Sequence, residues 1–171
     1  MSWDAVFADL QEQFRAAARR EVDEEIPHLA EAELAGIGVA DRIRARGGQH
    51  LTVQLRDGSR RTGMVQEATP SWLRLADGPR RLLIPLAAVG AAWPLHTAAP
   101  EAGPIEKKMS LGHVLRALAQ QRLPVLVRAE CGEHRGVVAR VGADHLDLLE
   151  DRGDPQVLTI LWQGLLSIES A

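Results

Sequence analysis

Val53–Val65 reads VQLRDGSRRTGMV, and Val125–Val138 reads VLVRAECGEHRGVV. Each stretch opens on apolar residues that alternate with polar ones. Each then passes a Gly-containing turn and reaches a second Gly followed by two apolar residues. Alternation at period two puts Leu51, Val53 and Leu55 on one face of a strand, and Asp57-Gly58 is a tight-turn signal. Both stretches therefore read as β-hairpins, and one chain writes the same hairpin twice.

The repetition extends well beyond the hairpin. After Val65 the chain bends at Thr69–Ser71, returns through Trp72, Leu73 and Leu75, turns at Asp77-Gly78-Pro79, and offers two short strands in RRLLIPLAAVGAAW, residues 80–93. Pro85 breaks that last run, because a proline cannot donate into a central ladder. After Val138 the order recurs: a turn at GADH, a strand at LDLL, a turn at DRGDP, and strands in VLTILWQGLLSIES, residues 157–170. Gly63 corresponds to Gly136, Leu73 to Leu146 and Leu75 to Leu148, all at an offset of 73; Ile84 pairs with Ile160 and Val89 with Leu165 after a slightly longer turn. Five short strands in each half would leave open edges if laid flat, so a small closed or nearly closed barrel is expected for each.

Helical patterns precede both halves. Trp3, Phe7, Leu10 and Phe14 recur at spacings of four, three and four, with Ser2 placed to cap and Asp4 in the first turn. Val22 and Ile26 continue the stripe until Pro27, which suits the first turn of a second helix. VADRIRARGG, residues 39–48, predicts a short helical turn with Val39 and Ile43 inward. TAAPEAGPIEKKM, residues 97–109, has the composition of a linker. SLGHVLRALAQQR then predicts a helix capped by Ser110, with Leu111, Val114, Leu115 and Leu118 on its apolar face. The divisions are a helical arm over 1–38, a first β-unit over 39–96, a linker over 97–109, and a helix with a second β-unit over 110–171.

These 171 residues, 46% apolar and 25% charged, have the composition of a soluble globular chain, and no run of 18 apolar residues calls for a membrane span. A single cysteine and no visible secretory leader point to the cytoplasm. Arg outnumbers Lys heavily and Ala is abundant, which suits a GC-rich bacterial genome. Residues 1–40 carry a net −6, residues 41–96 a net +5 and residues 97–171 a net −2. Such segregation reflects an interaction, within the molecule or with a partner.

LRDGSRRTGMV followed by WLRLADG and LIPLAAV resembles the Sm-like (LSm) small β-barrel family over residues 39–95, and more loosely over 110–169. The whole layout, from WDAVFADLQEQF through VADRIRARGG to LIPLAAV, is also similar to a group of actinobacterial proteins. The fold expected from the resemblance is mainly β with helices: two tandem five-stranded Sm-like (SH3-like) barrels, each preceded by a helix, plus the N-terminal arm. The family implies ring assembly and binding of single-stranded RNA, gripped by an Asp and an Asn after the second strand and closed by a later Arg-Gly pair. Here those loops read EATPSW and RVGADH, so Asp144 is at most half of the motif. The chain contains no Asn, and LLIPLA and LTILWQ lack Arg-Gly. The resemblance therefore supports the fold and weakens the family's usual activity.

Chemistry is sparse. Cys131 and His134 share a hairpin turn, but zinc wants a second such pair, and the plain reading is an exposed turn. GIGVADR lacks the third Gly of a dinucleotide loop and follows no strand. No cofactor, metal or membrane partner is expected, and no catalytic residue is assigned. Arg56, Arg60, Arg61, Arg80 and Arg81 flank turns at one end of the first unit, with Arg42, Arg44 and Arg46 just before it. They read as a patch for an acidic protein, for nucleic acid, or for the chain's own acidic segment REVDEEIPHLAEAE. Single-strand binders interleave aromatics with cations, and only six aromatic residues are present, which favours the protein and self-docking readings. The stripe of Trp3, Phe7, Leu10 and Phe14 reads as a protein interface, or as a cover for its own barrel. The expectation is a non-enzymatic, cytoplasmic interaction or self-assembly module, a homo-oligomer. The alternative is an RNA- or DNA-binding regulator that uses the Arg-rich first barrel.

Overall fold

The computed structural model describes residues 2–18, 36–96, 102–153 and 156–171. Within them the protein is mainly β with helices. Helix α1 spans Trp3–Ala18, α2 Val39–Arg44, α3 Pro104–Lys108 and α4 Leu111–Gln120. The strands are β1 His50–Leu55, β2 Arg60–Ala68, β3 Trp72–Asp77, β4 Arg80–Pro85, β5 Val89–Trp93, β6 Pro124–Ala129, β7 Gly132–Val141, β8 His145–Glu150, β9 Val157–Leu161 and β10 Leu165–Ser170. Turn chemistry explains the hairpins. Asp57 accepts from the Ser59 amide at 2.9 Å and from its hydroxyl at 2.7 Å, while Gly58 takes φ +85°. In the second hairpin the turn falls on Glu130 and Cys131 rather than spanning Cys131 to His134 as expected, because Ala129 pairs with Gly132, which puts His134 on β7.

All ten strands join one antiparallel sheet in the order β5-β1-β2-β3-β4-β10-β6-β7-β8-β9. This differs from two barrels each closed on itself. The sheet is continuous, and β5 and β9 are its two ends. The reason lies in the partner that β4 finds: it pairs with β10, setting Leu83 opposite Ile168 and Leu82 opposite Glu169, so the edge that would close the first unit is taken by the second.

Each half nonetheless runs through the same sequence of events. The order β5-β1-β2-β3-β4 matches β10-β6-β7-β8-β9. A register shift at Val65/Glu67 against β3 reappears at Val138/Arg140 against β8, and one where β1 meets β5 reappears where β6 meets β10. Bulges bend the strand that carries them, so both halves curl at matching points. Three-residue 3-10 turns, Leu86–Ala88 and Trp162–Gly164, link the last two strands of each half. The glycines at the offset of 73 share a role as well. A Cβ on Gly63 would stand 2.8 Å from the Ala76 carbonyl oxygen; one on Gly136 would overlap the Leu149 carbonyl, 2.8 Å from its carbon.

Two cores result. Beneath β1–β5 lie Ile43 of α2, Leu51, Val53, Leu55, Leu73, Leu75 and Ile84, joined by Leu166 from β10. Beneath β6–β10 lie Val125, Val127, Leu146, Leu148 and Ile168, covered by Leu115 and Leu118 of α4 and by Trp3, Phe7 and Leu10 of α1. Trp72 and Leu83 of the first half enter this second core, and the Trp72 indole donates to the Met109 carbonyl at 2.8 Å. Where the linker was expected, residues 97–101 lie outside the described residues. Residues 102–109 are anchored: Ala102 and Met109 are buried, and Ile105 packs on the core. Val22, Ile26 and the proposed second helix also lie outside the described residues. Among the described residues no helix is long and apolar enough to cross a membrane.

Candidate interaction surfaces

Helix α1 uses its apolar stripe inside the chain. The Ser2 hydroxyl accepts from the Ala5 amide at 3.3 Å, which fixes the helix start. Trp3, Phe7 and Leu10 are buried; Trp3 stacks on Phe7, and Phe7 meets Trp72 edge-on with ring centroids 5.7 Å apart. Phe14 is half-buried, edge-on to the His113 ring at 5.2 Å. Of the two uses expected for this stripe, the structure places it as a cover over the chain's own sheet.

The arginines separate by partner. Arg81 grips Asp4 with both arms, Nε to Oδ1 at 3.0 Å and Nη2 to Oδ2 at 2.9 Å. Arg74 reaches the same carboxylate at 3.2 Å, approaches Glu67 at 3.6 Å and lies 4.0 Å over the Phe7 ring. These contacts pin α1 to β3 and β4. The hydrogen bond from Arg81, with the charges of Arg81 and Arg74, holds the Asp4 carboxyl below its ordinary pKa, against a smaller desolvation effect. Burial does the opposite to Glu67, raising its carboxyl pKa despite the nearby Arg74 charge. Burial also lowers the pKa of Arg74 itself.

Arg56 and Arg61 join the two halves. Arg56 donates to the Gln163 and Leu165 carbonyls and pairs with Glu130 at 3.0 Å. Arg61 reaches Glu169 at 3.3 Å, and Arg128 reaches the same Oε1 at 2.7 Å. Glu169, only 5% exposed, is thus a buried acceptor shared by a cation from each half. Arg60 lies over the Trp93 ring at 5.4 Å, and Arg80 is exposed at the start of β4. The five arginines therefore form no single patch: two face the second half, one faces α1, one stacks at the β5 end of the sheet and one points out. The acidic segment expected to dock on them, residues 20–33, lies outside the described residues; among the described residues Asp4, Glu130 and Glu169 are the acidic partners of Arg81, Arg56 and Arg61. Arg74, Glu169 and Arg128 were not singled out in the sequence, because ion pairs 41 to 108 residues apart leave no local signature.

Among the described residues, the end strand β9 carries the two most exposed large apolar side chains. β9, VLTIL, carries no charge and no proline, and its Val157 and Leu161 are 60% and 49% exposed. β5, VGAAW, is equally uncharged, with Trp93 39% exposed. Such edges present unpaired backbone groups to a further strand, and here the usual protective charges are missing.

A cleft of about 180 Å³ between α1, β2 and α3 is lined by Gln11, Arg15, Gln66, Glu67 and Glu106. On the second hairpin, Cys131 lies beside His134, which in turn bonds Glu150 of β8. Among the described residues no group of three His, Cys, Asp or Glu has a metal-holding arrangement. Compared with known proteins, the chain matches no protein-family model and no curated protein sequence.

Proposed function

We propose that the protein is a non-enzymatic, cytoplasmic interaction module that assembles with itself through its sheet ends, each half being an Sm-like unit. The observation that carries this reading is the β4–β10 junction. It joins the fourth strand of one half to the fifth strand of the other, and it leaves a fifth strand, β5, and a fourth strand, β9, open. Residues of β4 and β5 correspond to those of β9 and β10 at an offset of 76. Carried over by that offset, the inner pairs Leu83–Ile168 and Leu82–Glu169 become Thr159–Ala92 and Leu158–Trp93 between two copies. The junction is head-to-tail, so copies add until a ring closes or a filament grows.

The test is light scattering after size exclusion. The wild-type chain is expected to run as an oligomer. Val157→Lys with Leu161→Lys on β9, or Trp93→Lys on β5, is expected to give monomers, since edge charge blocks strand addition. A mixture of the two blocked chains retains one good junction and should stop at a dimer. A wild-type chain that stays monomeric at high micromolar concentration would overturn the proposal.

One observation favours a second reading, nucleic-acid binding by the first half. Arg60 over the exposed Trp93 is a cation–aromatic pair of the kind that stacks bases, and it occupies the same β5 edge. That reading requires RNA or DNA affinity that falls with salt and is lost in Arg60→Ala.

A further inference from the structure

We infer that Cys131 is a site of reversible thiol modification by soluble disulfides, with His134 as its base and Glu150 as the positioning residue. The inference is independent of assembly through the sheet ends. Cys131 is exposed on the two-residue turn between β6 and β7. Its sulfur lies 3.8 Å from Nε2 of His134, the third residue beyond it. The other ring nitrogen, Nδ1, lies 2.8 Å from Glu150 Oε1 at the end of β8. A carboxylate only accepts, so Nδ1 carries the hydrogen and Nε2 turns a lone pair toward the thiol. His134 and Glu150 are mostly buried, with side chains 19% and 15% exposed, so the base is held by the sheet while the sulfur faces solvent. This is the nucleophile, base and orienting group of an activated thiol.

The surroundings suit an incoming disulfide, free or protein-borne. The two acidic residues that flank the thiol, Glu130 and Glu133, are each drawn off by an arginine, Arg56 and Arg128. In the reaction the Cys131 thiol gives its proton to Nε2 as Sγ attacks one sulfur of the disulfide. The Sγ–S bond forms and the S–S bond breaks. The other sulfur leaves as a thiolate and the proton on His134 passes to it or, where the thiolate is weakly basic, to water, so Cys131 is oxidised and the departing sulfur reduced. The 171-residue chain has no second cysteine to expel the adduct, so the mixed disulfide persists until an outside thiol removes it.

The test uses the full chain at pH 7 with 5,5′-dithiobis(2-nitrobenzoate), whose released thiolate is coloured, and with glutathione disulfide read by intact mass. The native protein should react roughly tenfold or more faster than the same chain in urea, a floor set below the roughly hundredfold or more that a positioned base typically contributes. His134→Gln should fall to the rate of the unfolded chain. Glu150→Gln should lose most of the gain and Glu150→Asp should recover part of it, while His145→Gln, in a separate pair with Asp144, should match wild type. Glutathione disulfide should add one glutathionyl group per chain. A native rate no higher than the unfolded rate overturns the proposal, a comparison that needs no variant to fold. A folded His134→Gln that reacts like wild type overturns it equally.

Discussion

The two halves of the sheet share strand order, bulges and the glycine that admits a crossing backbone, yet they are finished differently. The first half is lidded by six residues of α2 and exports its largest aromatic, Trp72, into the other core. The second half is covered by both α1 and α4 and exports Leu166 in return. The first half supplies most of the bridging cations, Arg56, Arg61, Arg74 and Arg81, and the second half and α1 supply Glu130, Glu169 and Asp4 as acceptors, with Arg128 of the second half sharing Glu169. Identical topology thus leaves side chains free to specialise. What keeps the halves alike is backbone geometry; what joins them is a division of charge and of apolar volume.

The strongest way to probe the likeness is at its shared glycines. Gly136→Ala is expected to be the most damaging single change, because the new Cβ meets backbone that cannot swing aside: about 3 kcal/mol or more, against about 1–2 kcal/mol for Gly63→Ala, where the approach is looser. Urea unfolding of the two variants measures the difference, and equal costs would mean the two sites are closer in geometry than the contacts indicate.

The junction is probed next. Glu169→Gln leaves Arg61 and Arg128 facing a neutral group in a buried setting, which is expected to cost roughly 3 kcal/mol. Asp4→Asn, at a carboxylate with 51% exposure, should cost less than about 1 kcal/mol despite its two arginines. A Glu169 loss as small as that of Asp4 would mean that the halves are held by the β4–β10 pairing and apolar exchange, with little from the shared carboxylate.

The smallest effect compares two carboxylates on either side of Arg74. Asp4 has a folded pKa below its ordinary value, so its contribution is present above the unfolded pKa near 4 and is lost as pH falls through the lower folded value. Glu67 has a raised folded pKa, so the sign reverses: the folded state holds the extra proton, and stability falls as pH rises through the window from the ordinary value up to the raised one. Asp4→Asn should flatten the acid limb of a stability–pH curve, and Glu67→Gln should remove a decline that sets in above the ordinary carboxylate range. Denaturant midpoints across pH 3 to 7 check both.

Local pattern carried much of this into view. The alternation in VQLRDGS, the Asp-Gly turn, the stripe on α1 and the Ser110 cap of α4 are interactions among residues a few positions apart, and all of them formed. The offsets of 73 and 76 made the repetition readable before any strand was paired. The arginines were visible as a group, but their partners were not. Neither was Glu150, which comes within reach of His134 because β7 and β8 pair with Gly136 opposite it.

Strand identity, the turn of the first hairpin and the doubling of the unit were therefore settled by short-range chemistry: turn residues, period-two burial and glycine where backbones touch. The choice of β10 as the partner of β4, the open ends at β5 and β9, and the descent of α1 onto the second core belonged to the tertiary structure. A strand edge offers the same row of donors and acceptors whatever its sequence, so which edges meet is decided by the shape and charge of assembled surfaces rather than by any stretch of residues.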